Sequence, residues 1–228
     1  MTTLVLLPGM DGTGTLFANF ISAYKGDTLV ISYPTDMPLS YDELEQYILI
    51  RLPKDKPFIL VGESFSGPLA ISLAEKKLPL LRGIVLVCTF AALPGAHFGR
   101  YLVSTLKRVP FWRAPLALSA SLLGGHFMTP SIRQQLAGAL ESVSPAVWQA
   151  RVQALLTVDV SSALRKLTLP MLYLRATKDR VVFRSASERI WRLNNRVTIV
   201  DIEAPHLLLQ TQPQQAAVAV RAFVESVQ

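Results

Sequence analysis

The stretch Phe58-Ile59-Leu60-Val61-Gly62-Glu63-Ser64-Phe65-Ser66-Gly67-Pro68-Leu69-Ala70-Ile71-Ser72-Leu73-Ala74 decides how this chain is read. Phe58 to Val61 is apolar without alternation, the pattern of a strand buried on both faces of a sheet. From Pro68 the residues follow a helical pattern. Between the two lies a run of small residues. A strand that passes at once into a helix pushes one side chain out of the sheet edge and holds it at a strained φ/ψ. Small residues two positions to either side keep strand and helix from colliding. The extruded residue is Ser64, and the small neighbours are Gly62 and Ser66. The usual pattern is G-x-S-x-G; here Ser66 stands for the last glycine and Gly67 follows one step later. Serine is small enough to serve. Ser64 also stands at a helix N-terminus, where the dipole favours developing negative charge. The competing reading is an ordinary strand–helix turn, which the strand before and the helix after make less natural.

Outward from this elbow, short apolar runs alternate with helical patterns. Thr3–Leu7, Thr28–Tyr33, Phe58–Val61, Gly83–Cys88, Met171–Arg175 and Val197–Ile202 read as strands. Helical patterns cover Thr15–Ala23, Ser40–Leu52, Ser66–Lys77, Ser185–Leu193 and Pro213–Val227. This order predicts an α/β fold: a mostly parallel, doubly wound sheet of about six strands with helices on both faces. Residues 93–169 break the alternation. They offer helical segments with Pro110, Pro115, Pro130 and Pro145 near their ends, and no convincing strand. The expected organisation is a core of 1–92 and 170–228 with a helical cap insertion at 93–169.

With these elements in place, the chain resembles the α/β-hydrolase family over nearly its whole length. Leu7-Pro8-Gly9-Met10-Asp11-Gly12-Thr13-Gly14 resembles the family's oxyanion loop, and residues 93–169 sit where the family inserts its cap. The resemblance implies that the sequence starts at the family's third strand. The implied chain order of the reacting groups is serine, acid, histidine.

A serine hydroxyl is a poor nucleophile at neutral pH. It needs a base within reach, and the base needs an orienting carboxylate. His206 follows the last strand in the loop Glu203-Ala204-Pro205-His206, beyond a strand's carboxyl end, where α/β sheets place active sites. His97 and His126 fall in the helical insertion and read as surface or packing residues. Asp179 follows the strand Met171–Arg175 and leads as the acid, 27 residues before His206. Asp201, within a strand, and Glu203, very near His206, compete less well; Asp179 itself could merely cap the next helix. The tetrahedral intermediate needs backbone N–H donors, expected from Phe65 and Met10. Glycines in that loop allow a tight turn, and the loop matches neither G-x-G-x-x-G nor a P-loop. Glu63 is expected to point away from Ser64, to pair with a neighbouring base and to stiffen the elbow. The expected catalytic set is therefore Ser64, Asp179 and His206, with Met10 and Phe65 as oxyanion donors and with no cofactor and no metal.

Bulk properties bound the rest. The chain has 228 residues, a formal charge of +7 and mean hydropathy +0.35. Cys88 is its one cysteine, so no internal disulfide forms. Without a basic leader or a membrane span, a cytoplasmic location is the default. Between Pro94 and Lys166 stand eight basic residues, Arg100, Lys107, Arg108, Arg113, Arg133, Arg151, Arg165 and Lys166, against Glu141 and Asp159. The simple reading is a solvated basic face. The sharper one is a cap that recruits an acyl group on an anionic carrier, or an acyl chain at a lipid surface. Nucleic acid is not an expected partner. The expected activity is hydrolysis of a small-molecule carboxylic ester or thioester of an apolar acyl group. The alternatives are an acyltransferase using the same triad and a non-catalytic ligand-binding protein on the same fold.

Overall fold

The computed structural model describes residues 2–93 and 116–227. Six strands, β1 (Thr3–Leu7), β2 (Thr28–Val30), β3 (Phe58–Glu63), β4 (Leu81–Val87), β5 (Met171–Ala176) and β6 (Val197–Ile202), form one sheet of order β2-β1-β3-β4-β5-β6. Every pairing is parallel. The described helices are α1 (Ala18–Tyr24), α2 (Tyr41–Leu49), α3 (Gly67–Glu75), α4 (Leu116–Leu123), α5 (Pro130–Glu141), α6 (Pro145–Thr157), α7 (Ser161–Lys166), α8 (Arg184–Leu193), α9 (Leu208–Thr211) and α10 (Pro213–Ser226).

The continuous apolar runs are explained by the two layers. Val5 and Leu7 of β1, Leu60 of β3, Leu86 of β4 and Tyr173 of β5 pack on one face with Ile48 of α2, Leu69 of α3, Leu164 of α7 and Ile190 of α8. Their sequence neighbours Leu4, Leu6, Ile59, Val85 and Leu172 pack on the other face, with Phe20 of α1 and Val220 of α10. Side chains alternate across the sheet with period two, and both sides are covered. Arg221 of α10 donates from Nη1 to the carbonyls of Ala23 and Tyr24, closing the end of α1 against the far end of the sequence.

Between β4 and β5 the described residues carry four helices. Leu136 of α5 and Ala120 of α4 join Leu16 and Leu207 in a third, smaller cluster. The Leu207 N–H donates to Leu123 O at 3.0 Å, tying α4 to the segment just after His206. Among the described residues no helix is long and apolar enough to cross a membrane.

Several boundaries differ from the sequence expectation by a few residues, and two of them bear on the site. The strand expected over 28–33 ends at Val30. Ile31 still donates to Leu6 O, but Tyr33 donates to Gly12 O, so the chain leaves the ladder to brace the loop after β1. The helix expected from Ser66 starts at Gly67, after a single 3-10 turn over Ser64–Ser66. The strand order also reverses here: the chain leaves β1 for β2 on one side and places β3 on the other. A crevice opens at the carboxyl ends of strands at such a reversal, so the loops after β1 and β3 become neighbours.

Gly67 shows how tightly this region is built. A Cβ placed on it would lie 2.0–2.6 Å from the side chain of Thr89, whereas one on Gly138 of α5 would meet nothing within 4 Å. Gly67→Ala is therefore expected to cost about 3 kcal/mol by overpacking. Gly138→Ala should stabilise by about 0.5–1 kcal/mol through helix propensity. Denaturant midpoints measure both, and equal effects would contradict the packing described.

Candidate active site

Ser64 directly follows β3 and sits at φ 49, a left-handed conformation that a residue with a side chain adopts only when its surroundings hold it there. Three contacts do so. Thr89 Oγ1 donates to the Ser64 carbonyl, and Tyr41 Oη donates to the Phe65 carbonyl at 2.7 Å. Ser66 Oγ donates to the Pro8 carbonyl, and the same hydroxyl lies 2.6 Å from Tyr33 Oη. Serine in place of the motif's last glycine is thus a working part: its hydroxyl ties the elbow to the loop after β1. The close approach expected of a glycine is met one residue later, by Gly67. Gly62 is needed where it stands, since a Cβ there would lie 2.6 Å from the Ser66 carbonyl oxygen.

His206 and Asp179 converge on Ser64. His206 Nε2 lies 2.9 Å from Ser64 Oγ, and His206 Nδ1 lies 2.8 Å from Asp179 Oδ2. Both side chains are almost wholly removed from solvent, with 6% and 4% exposed. Asp179 is held by its other oxygen, which accepts the N–H groups of Val181 and Val182 at 2.8 and 2.9 Å. Asp179 does not cap the next helix, whose N-cap is Phe183 without a side-chain bond; one of its oxygens closes the turn before that helix and the other meets the imidazole. Asp201 is engaged elsewhere, by Arg175 from both Nε and Nη2. Glu203 is exposed. His126 is also exposed, its ring tilted 35° against that of Phe127, while His97 lies outside the described residues.

Of the two expected backbone donors, Phe65 follows Ser64 in the chain and Met10 follows Gly9, the loop residue nearest the serine. Gly9 is close enough that a Cβ on it would lie 4.0 Å from Ser64 Cβ. Among the described residues, no turn, loop or side-chain hydrogen bond takes up the N–H of Met10 or of Phe65. Gly12 N–H donates to Gly9 O at 3.0 Å and closes the loop, with Gly12 at φ 70.

Four residues of this site were not singled out by their sequence pattern, or were read otherwise. Glu63 is buried and meets an amide instead of a base: Gln210 Nε2 of α9 donates to its Oε1 at 3.0 Å. Burial pushes the Glu63 carboxyl up to about 7, opposed by the Gln210 hydrogen bond. Cys88 offers its sulfur beside Asp179 and His206, the three ligand-type atoms lying within 4.8 Å of one another. The carboxylate and imidazole of that trio are already bonded to each other, and burial pushes the Cys88 thiol well up. Arg151, counted with the solvated basic residues, is buried with only 2% of its surface exposed. Lys166 of the same set pairs with Glu75 at 2.7 Å, and Arg100, Lys107, Arg108 and Arg113 lie outside the described residues.

The buried Glu63 has a consequence for stability. Its folded pKa lies above the unfolded value, so the neutral acid's contribution is complete at low pH and is lost as pH rises through about 7. Over that window the loss is about 3 kcal/mol. Chemical unfolding at pH 5 and pH 8 should show wild type losing about that much more stability than Glu63→Gln. Identical pH slopes would contradict a titrating carboxyl at this position.

Comparison with known proteins agrees with this architecture. A family model described as "Alpha/beta hydrolase family" matches residues 4–220. The chain is 26% identical over 183 residues to the pyrrolizixenacetamide deacetylase of Xenorhabdus hominickii, covering 75% of this chain and 66% of that protein. It is 26% identical over 179 residues to the biotin biosynthesis bifunctional protein BioHC of Cellvibrio japonicus, covering 74% of this chain and 35% of that one. The chain thus spans less than two thirds of the length of either relative. A thermophilic esterase from Thermogutta terrifontis superposes with TM-score 0.81 at 18% identity, covering 100% of this chain and 90% of the other, a likeness of fold alone. With the family model spanning nearly all of the sequence, the chain belongs to the alpha/beta hydrolase family.

Proposed function

We propose that the protein is a serine hydrolase that cleaves a carboxylic ester or thioester of an apolar acyl group through an acyl-enzyme. One observation carries this reading: the 2.9 Å and 2.8 Å contacts that link Ser64 Oγ, the two nitrogens of His206 and Asp179 Oδ2. A hydroxyl, an imidazole and a carboxylate in that order are the parts that activated acyl transfer requires.

Ser64 Oγ attacks the acyl carbon while His206 Nε2 takes its proton. Asp179 holds the imidazole in the tautomer that leaves Nε2 free to accept, and it stabilises the imidazolium that forms. The N–H groups of Met10 and Phe65 receive the charge that develops on the acyl oxygen. His206 then returns its proton to the departing alkoxide or thiolate. Water repeats the sequence on the acyl-enzyme, releasing the acid and freeing Ser64. The near-complete burial of His206 and Asp179 supports this reading, because charge interactions strengthen where water is excluded. A deacetylase among the similar proteins supports a carbonyl substrate.

The test is a panel of p-nitrophenyl esters and acyl thioesters of graded chain length, run beside labelling with a fluorophosphonate. Wild type should turn over at least one class and take the label. Ser64→Ala should abolish labelling and reduce turnover by about 10³-fold or more, with the unfolding midpoint retained. Asp179→Asn should retain labelling at a rate lowered about 10²- to 10⁴-fold. A wild-type chain inert to every ester, thioester and fluorophosphonate would reject the hydrolase reading.

A further inference from the structure

Arg151 lies on α6, far along the chain from the loop after β1, yet it is buried against that loop. Nη1 donates to the Met10 carbonyl at 2.9 Å and to the Asp11 carbonyl at 2.6 Å, and Nη2 donates to the Pro34 carbonyl at 2.8 Å. Its guanidinium lies flat on Gly12: a Cβ there would come within 2.6–2.8 Å of Nη2, Nη1 and Cζ. Arg151 Cζ also lies over the Tyr33 ring, 5.9 Å from its centroid. The helix that delivers Arg151 is itself anchored to the same neighbourhood, since Ser144 N–H at its start donates to Thr35 O at 2.8 Å.

Burying a charge of this kind is costly, and an apolar side chain of similar volume often serves stability as well or better. What an apolar side chain cannot do is grip carbonyl oxygens in a fixed plane. Here that grip has a geometric consequence. In a trans peptide the C=O of Gly9 and the N–H of Met10 point in opposite directions. The Gly9 carbonyl is fixed by Gly12 N–H at 3.0 Å, so the placement of Gly12 sets where the Met10 N–H points. Gly12 is in turn pinned by the guanidinium on one side and by Tyr33 N–H donating to its carbonyl at 2.7 Å. The Met10 and Asp11 carbonyls, which would repel an oxyanion, are held on the arginine. Asp11, buried with its carboxylate on Thr13, balances part of the charge.

We propose that Arg151 is the positioning residue of the oxyanion hole, fixing the turn Met10–Gly12 so that the Met10 N–H faces the acyl oxygen of a substrate on Ser64. This rests on the hydrolase reading above. Arg151 touches neither substrate nor reacting atoms; it acts through the loop. Its loss should therefore weaken transition-state stabilisation without weakening substrate binding.

The experiment compares an oxygen ester with the matching thionoester, whose sulfur is a poor hydrogen-bond acceptor and draws little on an oxyanion hole. Arg151→Ala, Arg151→Lys and Gly12→Ala are measured, the last displacing the guanidinium from the loop side. The expected result is a 10- to 100-fold fall in kcat for the oxygen ester with KM within about twofold. The thionoester rate should fall far less, so that the ester-to-thionoester ratio collapses. Guanidinium ion added to Arg151→Ala at tens of millimolar should restore part of the ester rate. An unchanged ratio in the variants that fold, or failure of all three to fold, assigns Arg151 to structure alone and overturns the proposal. A wild-type chain without activity towards either ester or fluorophosphonate fails the hydrolase reading itself, a distinguishable result.

Discussion

A side chain at φ 49 on the residue directly after a fully buried strand is unfavourable by about 1–3 kcal/mol and persists only where its neighbours over-determine it. The architecture around Ser64 is arranged to meet that demand. Thr89 grips its carbonyl from β4's end, Tyr41 grips the next carbonyl from α2, and Ser66 ties the elbow to Pro8. Gly62 and Gly67 remove the Cβ atoms that would prevent strand, turn and helix from closing on one another. The same contacts that stabilise the elbow also bring the loop after β1 against it. Local strain and the meeting of two loops are one problem with one solution.

Much of this was legible in the sequence. The two-faced burial of β1, β3, β4 and β5 is written in unbroken apolar runs, because parallel strands covered on both sides have no reason to alternate. Ser64, Asp179 and His206 each stand within four residues beyond the carboxyl end of a strand, and that shared position made them recognisable while far apart in sequence. The identity of the last small residue in the elbow was legible only in part. Size explained why Ser66 is tolerated, but its bond to Pro8 depends on a crevice that exists only after the strand order reverses.

Other features lay beyond the reach of a one-dimensional pattern. Arg151 looks like any surface arginine on a helix, since nothing local marks a residue whose partners are carbonyls 117 to 141 positions away. Gln210 sits 147 positions from Glu63 and carries no motif. Glu63 itself was expected to find a base, the ordinary fate of a buried acid. It finds an amide instead, and it settles the burial by moving its pKa towards neutrality. The short β2 was misjudged for a related reason: Ile31 to Tyr33 are apolar enough for a strand, but Tyr33 gives its N–H to Gly12.

The pairing of α1 with α10 bears on the order in which the molecule can assemble. Residues near the start of the sequence share one layer with residues 213–226, joined by the Arg221 bonds to Ala23 and Tyr24. During synthesis α1 therefore waits, its apolar face without its final partner, until residues 213–226 have left the ribosome. Contacts of such long sequence separation are slow to form. The opposite layer, where α2 and α3 pack on strands close to them in sequence, can condense earlier.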